Sequence, residues 1–346
     1  MNTEWQNFLM NYHAVVNDNS ILHFGNCSGE LLATATTAVI CDLSHQGLIR
    51  FSGDDAKSFL QSQLSCDIRE IDLTSAKYGS YCSPKGRVLA NFVIWQRHDD
   101  LFMQLPVSLL SAIQKRLSLY VLRSKVTITD CSNEWIRFGV AGSDAAALIR
   151  NTGDAIEDFA GPMRMQHTEK FSIIHYSRNR AEVIATYAHA QVLWDRLGQH
   201  AKPVGARCWD WLEIQAGIPT ILPETQELFL PQMINLDVTG GVSFKKGCYP
   251  GQEIVARTQY LGKLKRRMQL AHITTNAAIA AGDALYSPET DDQSCGNIVN
   301  VAPSPQGGLD ALAVVQHNND RADEIHCHSL QGPILEFRSL PYSLPA

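Results

Sequence analysis

Two stretches of this chain repeat one another, and that echo limits the fold more than any other feature. Gly53, Asp55, Ala56, Phe59 and Leu60 are matched at a single offset by Gly142, Asp144, Ala145, Leu148 and Ile149. An apolar run precedes each glycine: Gly47-Leu48-Ile49-Arg50-Phe51 in the first copy, Phe138-Gly139-Val140-Ala141 in the second. Apolar run, glycine break, aspartate cap and apolar helical face together predict strand, turn and helix. A weaker echo follows. Leu101 to Leu105 leads into a helix through Ile113, Arg116 and Leu117, as Glu182 to Thr186 leads into one through Leu193, Arg196 and Leu197. Two copies are too few for a solenoid. They predict two α+β modules, each with antiparallel strands and a pair of packed helices.

Three further signals complete the outline. Trp5, Phe8, Leu9 and Tyr12 lie at helical spacing, and Asp54 or Asp55 can cap the first repeat helix. Ser83-Pro84-Lys85-Gly86 places proline and glycine for a tight turn, so Tyr78 to Trp95 reads as a hairpin. Beyond residue 240 glycines punctuate the chain and helical periodicity fades. Short strands are expected at Arg267 to Ile273, Gly296 to Val301, Ala311 to Val315 and Ile334 to Phe337, with a turn at Pro303-Ser304-Pro305-Gln306-Gly307-Gly308. The expected division is 1–135, 136–240 and 241–346: two antiparallel-sheet modules with helices, then a small C-terminal β-barrel.

Composition narrows the function. A chain of 346 residues is long enough for two or three domains with real cores. Its formal charge of −6 argues against a surface that tracks nucleic acid throughout, though one basic patch is compatible with it. Nine cysteines, at 27, 41, 66, 82, 131, 208, 248, 295 and 327, are scattered and never spaced C-x-x-C. That pattern suits a reducing compartment better than a disulfide framework or zinc finger. The start, Met1-Asn2-Thr3-Glu4-Trp5-Gln6, lacks a signal peptide's basic and apolar regions, and no apolar run approaches the ~18–20 residues that span a bilayer. The cytoplasm is the expected location, with no membrane partner.

The densest chemistry lies in Val242-Ser243-Phe244-Lys245-Lys246-Gly247-Cys248-Tyr249-Pro250-Gly251-Gln252-Glu253, with Arg257 following. Glycines on both sides of Cys248 let the backbone approach a ligand and expose the sulfur. Nearby Lys245, Lys246 and Arg257 would favour its thiolate. The competing reading is a tight loop with a buried cysteine, the commoner fate of a free thiol.

Lys246 to Glu253 resembles the K-G-C-[FY]-x-G-Q-E signature of the YgfZ family, folate-binding relatives of the glycine-cleavage T-protein. Trp209 to Gly217 with Ile218-Pro219, then Pro231-Gln232, Asn235-Leu236 and the closing Leu340-Pro341-Tyr342-Ser343-Leu344, extend the resemblance in order. The resemblance implies three domains in a ring around a central channel that holds tetrahydrofolate or a derivative. It implies a role in maintaining iron–sulfur proteins, including those that thiolate tRNA, with Cys248 as the functional thiol and Gly247, Tyr249, Gly251, Gln252 and Glu253 as the rest of its loop. The alternative is a folate-dependent one-carbon (aminomethyl) transferase.

Departures from the family pattern weigh on both readings. The T-protein carries carboxylates in a G-x-V-I-D-D stretch, and Ala90 and Asn91 stand at those positions here. Neither can act as general base, a role worth roughly 10²–10⁴-fold, so aminomethyl transfer by that route is disfavoured. The family's pterin-binding glutamate corresponds to Gln215, an amide with one acceptor where a carboxylate has two; Glu213 lies on the opposite helical face. Trp209 matches a channel tryptophan suited to stacking on pterin, with core packing beside Trp211 as its alternative. A second channel tryptophan of some relatives corresponds to Gln46, which offers a hydrogen bond instead of a ring. Lys245, Lys246, Arg257, Lys263, Lys265, Arg266 and Arg267 form a basic cluster open to a folate polyglutamate tail, an acidic partner or tRNA, or simply to solvent. Direct RNA readout is the weaker option, because only Tyr249 and Tyr260 are interleaved. His326-Cys327-His328 is read as structural, with no second ligand pair for a metal.

Overall fold

The echo in the sequence is an echo in the topology. The computed structural model describes residues 1–152, 156–262, 264–290, 293–316 and 324–345. The chain opens with α1 (Thr3–Met10), β1 (Val15–Asn17), β2 (Ser20–His23), α2 (Cys27–Thr36) and β3 (Val39–Asp42). The first copy follows as β4 (Gln46–Ser52), α3 (Ala56–Gln63), β5 (Ala76–Cys82), β6 (Val88–Arg97), β7 (Asp100–Pro106), α4 (Val107–Ser118) and β8 (Thr127–Asp130). The second copy is β9 (Ile136–Ala141), α5 (Ala145–Arg150), β10 (Arg164–His167), β11 (Phe171–Ser177), β12 (Arg180–Ala185), α6 (Tyr187–Gly198) and β13 (Lys202–Val204). Then come α7 (Ala206–Gln215), α8 (Gln252–Tyr260), β14 (Arg266–Ile273), β15 (Ala284–Tyr286), β16 (Ser294–Pro303), β17 (Leu309–Gln316), β18 (His326–Cys327) and β19 (Glu336–Arg338).

The two repeat sheets run β5-β6-β7-β4-β8 and β10-β11-β12-β9-β3-β13, so their strands correspond with one insertion. Whereas β8 pairs directly with β4, β3 lies between β9 and β13, antiparallel to the first and parallel to the second. The all-antiparallel expectation therefore needs correcting at one pair. All four residues of β3 are buried, as suits a strand covered on both faces. Gly53 and Gly142 have φ of 108° and 150° at the equivalent strand-to-helix turns. Asp144 caps α5 by accepting from Ala147 N at 3.0 Å, while Asp55 turns its carboxylate to Lys125 N at 2.8 Å.

The chain divides into two units, Met1–Phe59, Ile68–Lys77 and Val93–Trp209 forming one, Leu60–Asp67, Tyr78–Phe92 and Asp210–Ala346 the other. In the first, Trp5 and Leu9 of α1 pack with Phe138, Val140, Trp194 and Leu197. Trp5 meets Trp194 edge-on at 5.4 Å, and its indole N–H donates to buried Asp42 at 2.7 Å. A second cluster of this unit, including Leu48, Trp95, Phe102, Ile174 and Ile184, joins residues of both repeat sheets. In the second unit the sheet order is β18-β15-β16-β17-β14-β19, all pairs antiparallel. The turn expected at 303–308 joins β16 to β17, with Ser304 N bonded to Gly308 O at 3.1 Å. Among the described residues no helix is long and apolar enough to cross a membrane.

Candidate functional site

The signature loop is held at its flanks and open at its crest. Its incoming end is pinned by Ser65, whose carbonyl accepts from Ser243 N (2.9 Å) and whose hydroxyl donates to Gly241 O (2.6 Å). Lys246 is buried, and its Nζ donates to the carbonyls of Leu64 and, at 2.9 Å, of Cys66. The same ammonium lies 5.2 Å from the centre of the buried Tyr249 ring, a cation–π contact. Burial, then the neighbouring Cys82 and Cys66 thiols, push the Tyr249 phenol above its ordinary range. Gly251, with φ of 82°, precedes α8 and lies tight against the turn of the β5–β6 hairpin. A Cβ there would sit 2.4 Å from Ser83 O and 2.6 Å from Gly86 Cα.

Between those anchors Gly247 and Cys248 are exposed, and a Cβ on Gly247 would meet nothing within 4 Å. Of the nine cysteines only Cys27 and Cys248 are exposed. Lys246 was expected beside the thiol; its charge instead serves the loop's underside. Lys245 and Arg257 remain exposed, as does Glu253 in the first turn of α8, while Gln252 is half-buried.

Trp209 is 2 % exposed. It lies over Gly139, where a Cβ would come within 2.1 Å of the indole, and meets Tyr176 at 6.4 Å with the Arg180 guanidinium 5.5 Å from its ring. Tyr176 OH donates to Glu182 Oε2 (2.7 Å), which also accepts from Gln104 Nε2 (3.0 Å). Half-buried Gln46 offers its backbone carbonyl to Nη2 of buried Arg137, whose guanidinium is pulled below its usual value by burial and held up chiefly by Glu182. Arg137, Arg180 and Glu182 were missed in the sequence. Their signal was there: Ile136-Arg137-Phe138 and Arg180-Ala181-Glu182-Val183 each place charge inside an apolar strand run.

The same buried set tunes a histidine. His45 has both ring nitrogens buried, and burial followed by the field of Arg137 pulls its pKa from 6.5 down to about 4. The unfolded chain therefore takes up this proton first. Stability from the neutral ring is complete above pH 6.5 and is lost as pH falls toward 4, by on the order of 2–3 kcal/mol. Burial pushes the Asp42 carboxyl up, which acts in the opposite sense, so the readout is the difference from His45→Gln. Urea unfolding at about pH 7.5 and about pH 4.5 is expected to show the wild type losing that much more than the variant. Equal losses would contradict the assignment.

Gln215 has a different environment from Trp209. Its Nε2 donates to Asp310 Oδ2 at 3.1 Å. The same carboxylate accepts from Trp211 Nε1 and from His272 Nδ1, both at 2.7 Å. Trp211 and Gln215 are one helical turn apart and share that partner, whereas Glu213 accepts from Thr220 Oγ1 at 3.2 Å. A Gln215→Glu change would set a second carboxylate beside Asp310 and is expected to cost about 1–2 kcal/mol at neutral pH. Repulsion and burial raise the new carboxyl's pKa, so the cost is present above that pKa and fades as acid protonates it. Unfolding curves at neutral and acid pH test this; an unchanged stability at both would rule the contact out.

Ala90 is fully buried, and the Asn91 amide bridges two backbone groups, donating to Pro219 O (2.7 Å) and accepting from Ile221 N (2.8 Å). A carboxylate could satisfy only the second. The basic cluster is dispersed. Arg267 is bidentate with Asp237 at 2.8 Å twice, Arg266 is half-buried, Lys265 is exposed, and Lys263 lies outside the described residues. His326 and His328 do not form a ligand pair: His326 Nδ1 bonds to Gly332 O at 3.0 Å, while His328, at positive φ, bonds to Asp283 at 2.7 Å.

The comparisons agree with this geometry at the level of fold and family. The GCVT N-terminal domain model matches residues 10–246. The crystal structure of glycine cleavage system aminomethyltransferase T from Bartonella henselae superposes with a TM-score of 0.81 at 17% identity, covering 99% of this chain and 97% of that one, a likeness of mixed α/β fold. Proteins called tRNA-modifying protein YgfZ are similar over most of their length. That of Sodalis glossinidius is 28% identical over 310 residues, 88% of this chain and 93% of its own. That of Colwellia psychrerythraea is 28% identical over 331 residues, 91% and 96%. The chain belongs to the GCVT N-terminal domain family and, within it, to the YgfZ proteins.

Proposed function

We propose that this chain is a cytoplasmic tetrahydrofolate-binding accessory protein that supports iron–sulfur proteins, among them tRNA-thiolating enzymes, through the thiol of Cys248. The observation that carries the reading is the loop: buried Lys246 and Tyr249 and the packed Gly251 hold it, and Cys248 is exposed between them. The names of the YgfZ relatives favour a tRNA-modification setting. In this reading the chain falls into the segments 1–135, 136–240 and 241–346. The third is a small β-barrel, supported by the way residues 333–338 bond both to the β18 edge (Cys327 N to Pro333 O, 2.8 Å; Leu335 N to Ile325 O, 2.9 Å) and, through β19, to β14.

The folate side of the proposal rests on Gln215, with Trp209 and Gln46 as the other wall residues and Arg257 nearer the signature loop, the Lys246 ammonium being engaged beneath that loop. Asp310 takes the Gln215 amide N–H, which leaves Oε1 as an acceptor for a pterin amino group. That is one neutral acceptor where relatives offer a carboxylate, so affinity is lowered by about 1–3 kcal/mol rather than abolished. Trp209 contributes from within its Arg180 and Tyr176 contacts and serves first to hold that wall. With Ala90 and Asn91 at the T-protein carboxylate positions, no general base stands where aminomethyl transfer needs one, which favours the accessory role over the transferase.

Anaerobic calorimetry with tetrahydrofolate tests this half of the reading. Saturable one-to-one binding, weakened about 5- to 50-fold by Gln215→Leu, is expected. An absence of saturable binding would remove folate from the proposal, and formation of 5,10-methylene-tetrahydrofolate from an aminomethyl donor would restore the transferase.

A further inference from the structure

The second unit contains a cavity of about 490 Å³ that includes none of Gln46, Trp209, Gln215, Lys246, Cys248 and Arg257, though Lys265 and Arg266 of the basic cluster line it. That volume is in the range that takes small organic molecules. The start of β14, the end of β17, the end of α8 and the segment around residues 228–233 line it. The wall has two characters. Leu230, Met233 and Val314 give apolar surface, and Arg87, Lys265 and Arg266 bring three positive charges. Among the described residues no aspartate or glutamate is part of it.

The charges are what need explaining. Arg87 Nη1 donates to Leu228 O (2.6 Å) and Arg266 Nη2 to Ser294 O (3.3 Å), both neutral carbonyls. Among the described residues none of the three cations is paired with a carboxylate, in contrast to Arg267, whose guanidinium is held by Asp237. The chain as a whole carries −6, so three cations around one concavity with no carboxylate partner among the described residues run against its average. The C-terminal end of α8 supplies about half a negative charge, which falls well short of three. Like charges around one concavity repel, and an anion relieves them.

We propose that this cavity binds a small organic anion with an apolar body, a carboxylate or a phosphate ester. Its head lies at Arg87, Lys265 and Arg266, and its body against Leu230, Met233 and Val314. The guanidinium of Arg87 keeps donors beyond the one given to Leu228, and a planar fork suits either head group.

Calorimetry on the full chain with octanoate and with octyl phosphate, each below its micellar concentration, tests the proposal. Saturable one-to-one binding of at least one probe is expected, weakened at least tenfold by the double change Lys265→Gln with Arg266→Gln. Met233→Trp, which fills the apolar end, is expected to weaken it as much; circular dichroism and unfolding midpoints show that each variant folds. The probe bound more tightly identifies the head group. The proposal is overturned if neither probe saturates, if the double change leaves affinity intact, or if inorganic phosphate binds as tightly as octyl phosphate.

Discussion

Replacing Gly251 with alanine is expected to cost about 3–5 kcal/mol, a large part of the 5–15 kcal/mol that typically separates folded from unfolded chains. Two effects add. The residue holds φ of 82°, where an L side chain is strained, and the new methyl would meet Ser83 O at 2.4 Å and Gly86 Cα at 2.6 Å. Both obstacles are backbone, so no rotamer change relieves them. They belong to the hairpin turn, whose Gly86 N bonds Ser83 O at 2.8 Å. Gly247 is the internal control, because its Cβ would enter open space; alanine there is expected to cost no more than about 1 kcal/mol. The ratio of the two urea midpoints checks the account, and comparable losses at both positions would refute it.

Lys246→Met carries the second large effect. The ammonium donates to Leu64 O and Cys66 O in a buried site and faces the Tyr249 ring. Methionine keeps the volume and apolar stem but leaves those carbonyls without that donor, at about 2–4 kcal/mol. Lys246→Arg is not a rescue, because a planar guanidinium does not match a compact three-donor head between two carbonyls. Lys245→Met, on the exposed neighbour, is expected to stay within about 0.5 kcal/mol. If the two methionine variants unfold at the same urea concentration, Lys246 does not anchor the loop.

Those adjacent lysines show how far the sequence reaches. Composition marks both as surface cations that would activate a thiol. Only the carbonyls of Leu64 and Cys66, far away along the chain, decide that one is buried. The strand, turn and helix units around Gly53 and Gly142 were legible because their signals are local. The insertion of β3 was not: Val39–Asp42 is a short buried run without alternation, and its parallel partner Lys202–Val204 is remote in sequence. Likewise Trp209 reads from sequence as a stacking ring or as packing beside Trp211, yet the partners of the two, Arg180 and Asp310, are fixed only by tertiary structure. The loop's motif pointed to Cys248, and the exposure of that residue among mostly buried cysteines agrees with it.

The central claim is that the loop is a scaffold for one exposed thiol. It is tested most directly by returning Cys248→Ser to a strain that lacks this protein and measuring the activity of its tRNA-thiolating iron–sulfur enzymes. The substitution removes one exposed sulfur and none of the anchoring contacts, so the variant should fold with an unchanged unfolding midpoint and fail to restore that activity where the wild type does. Full restoration by Cys248→Ser would contradict the claim and leave the loop a structural element alone.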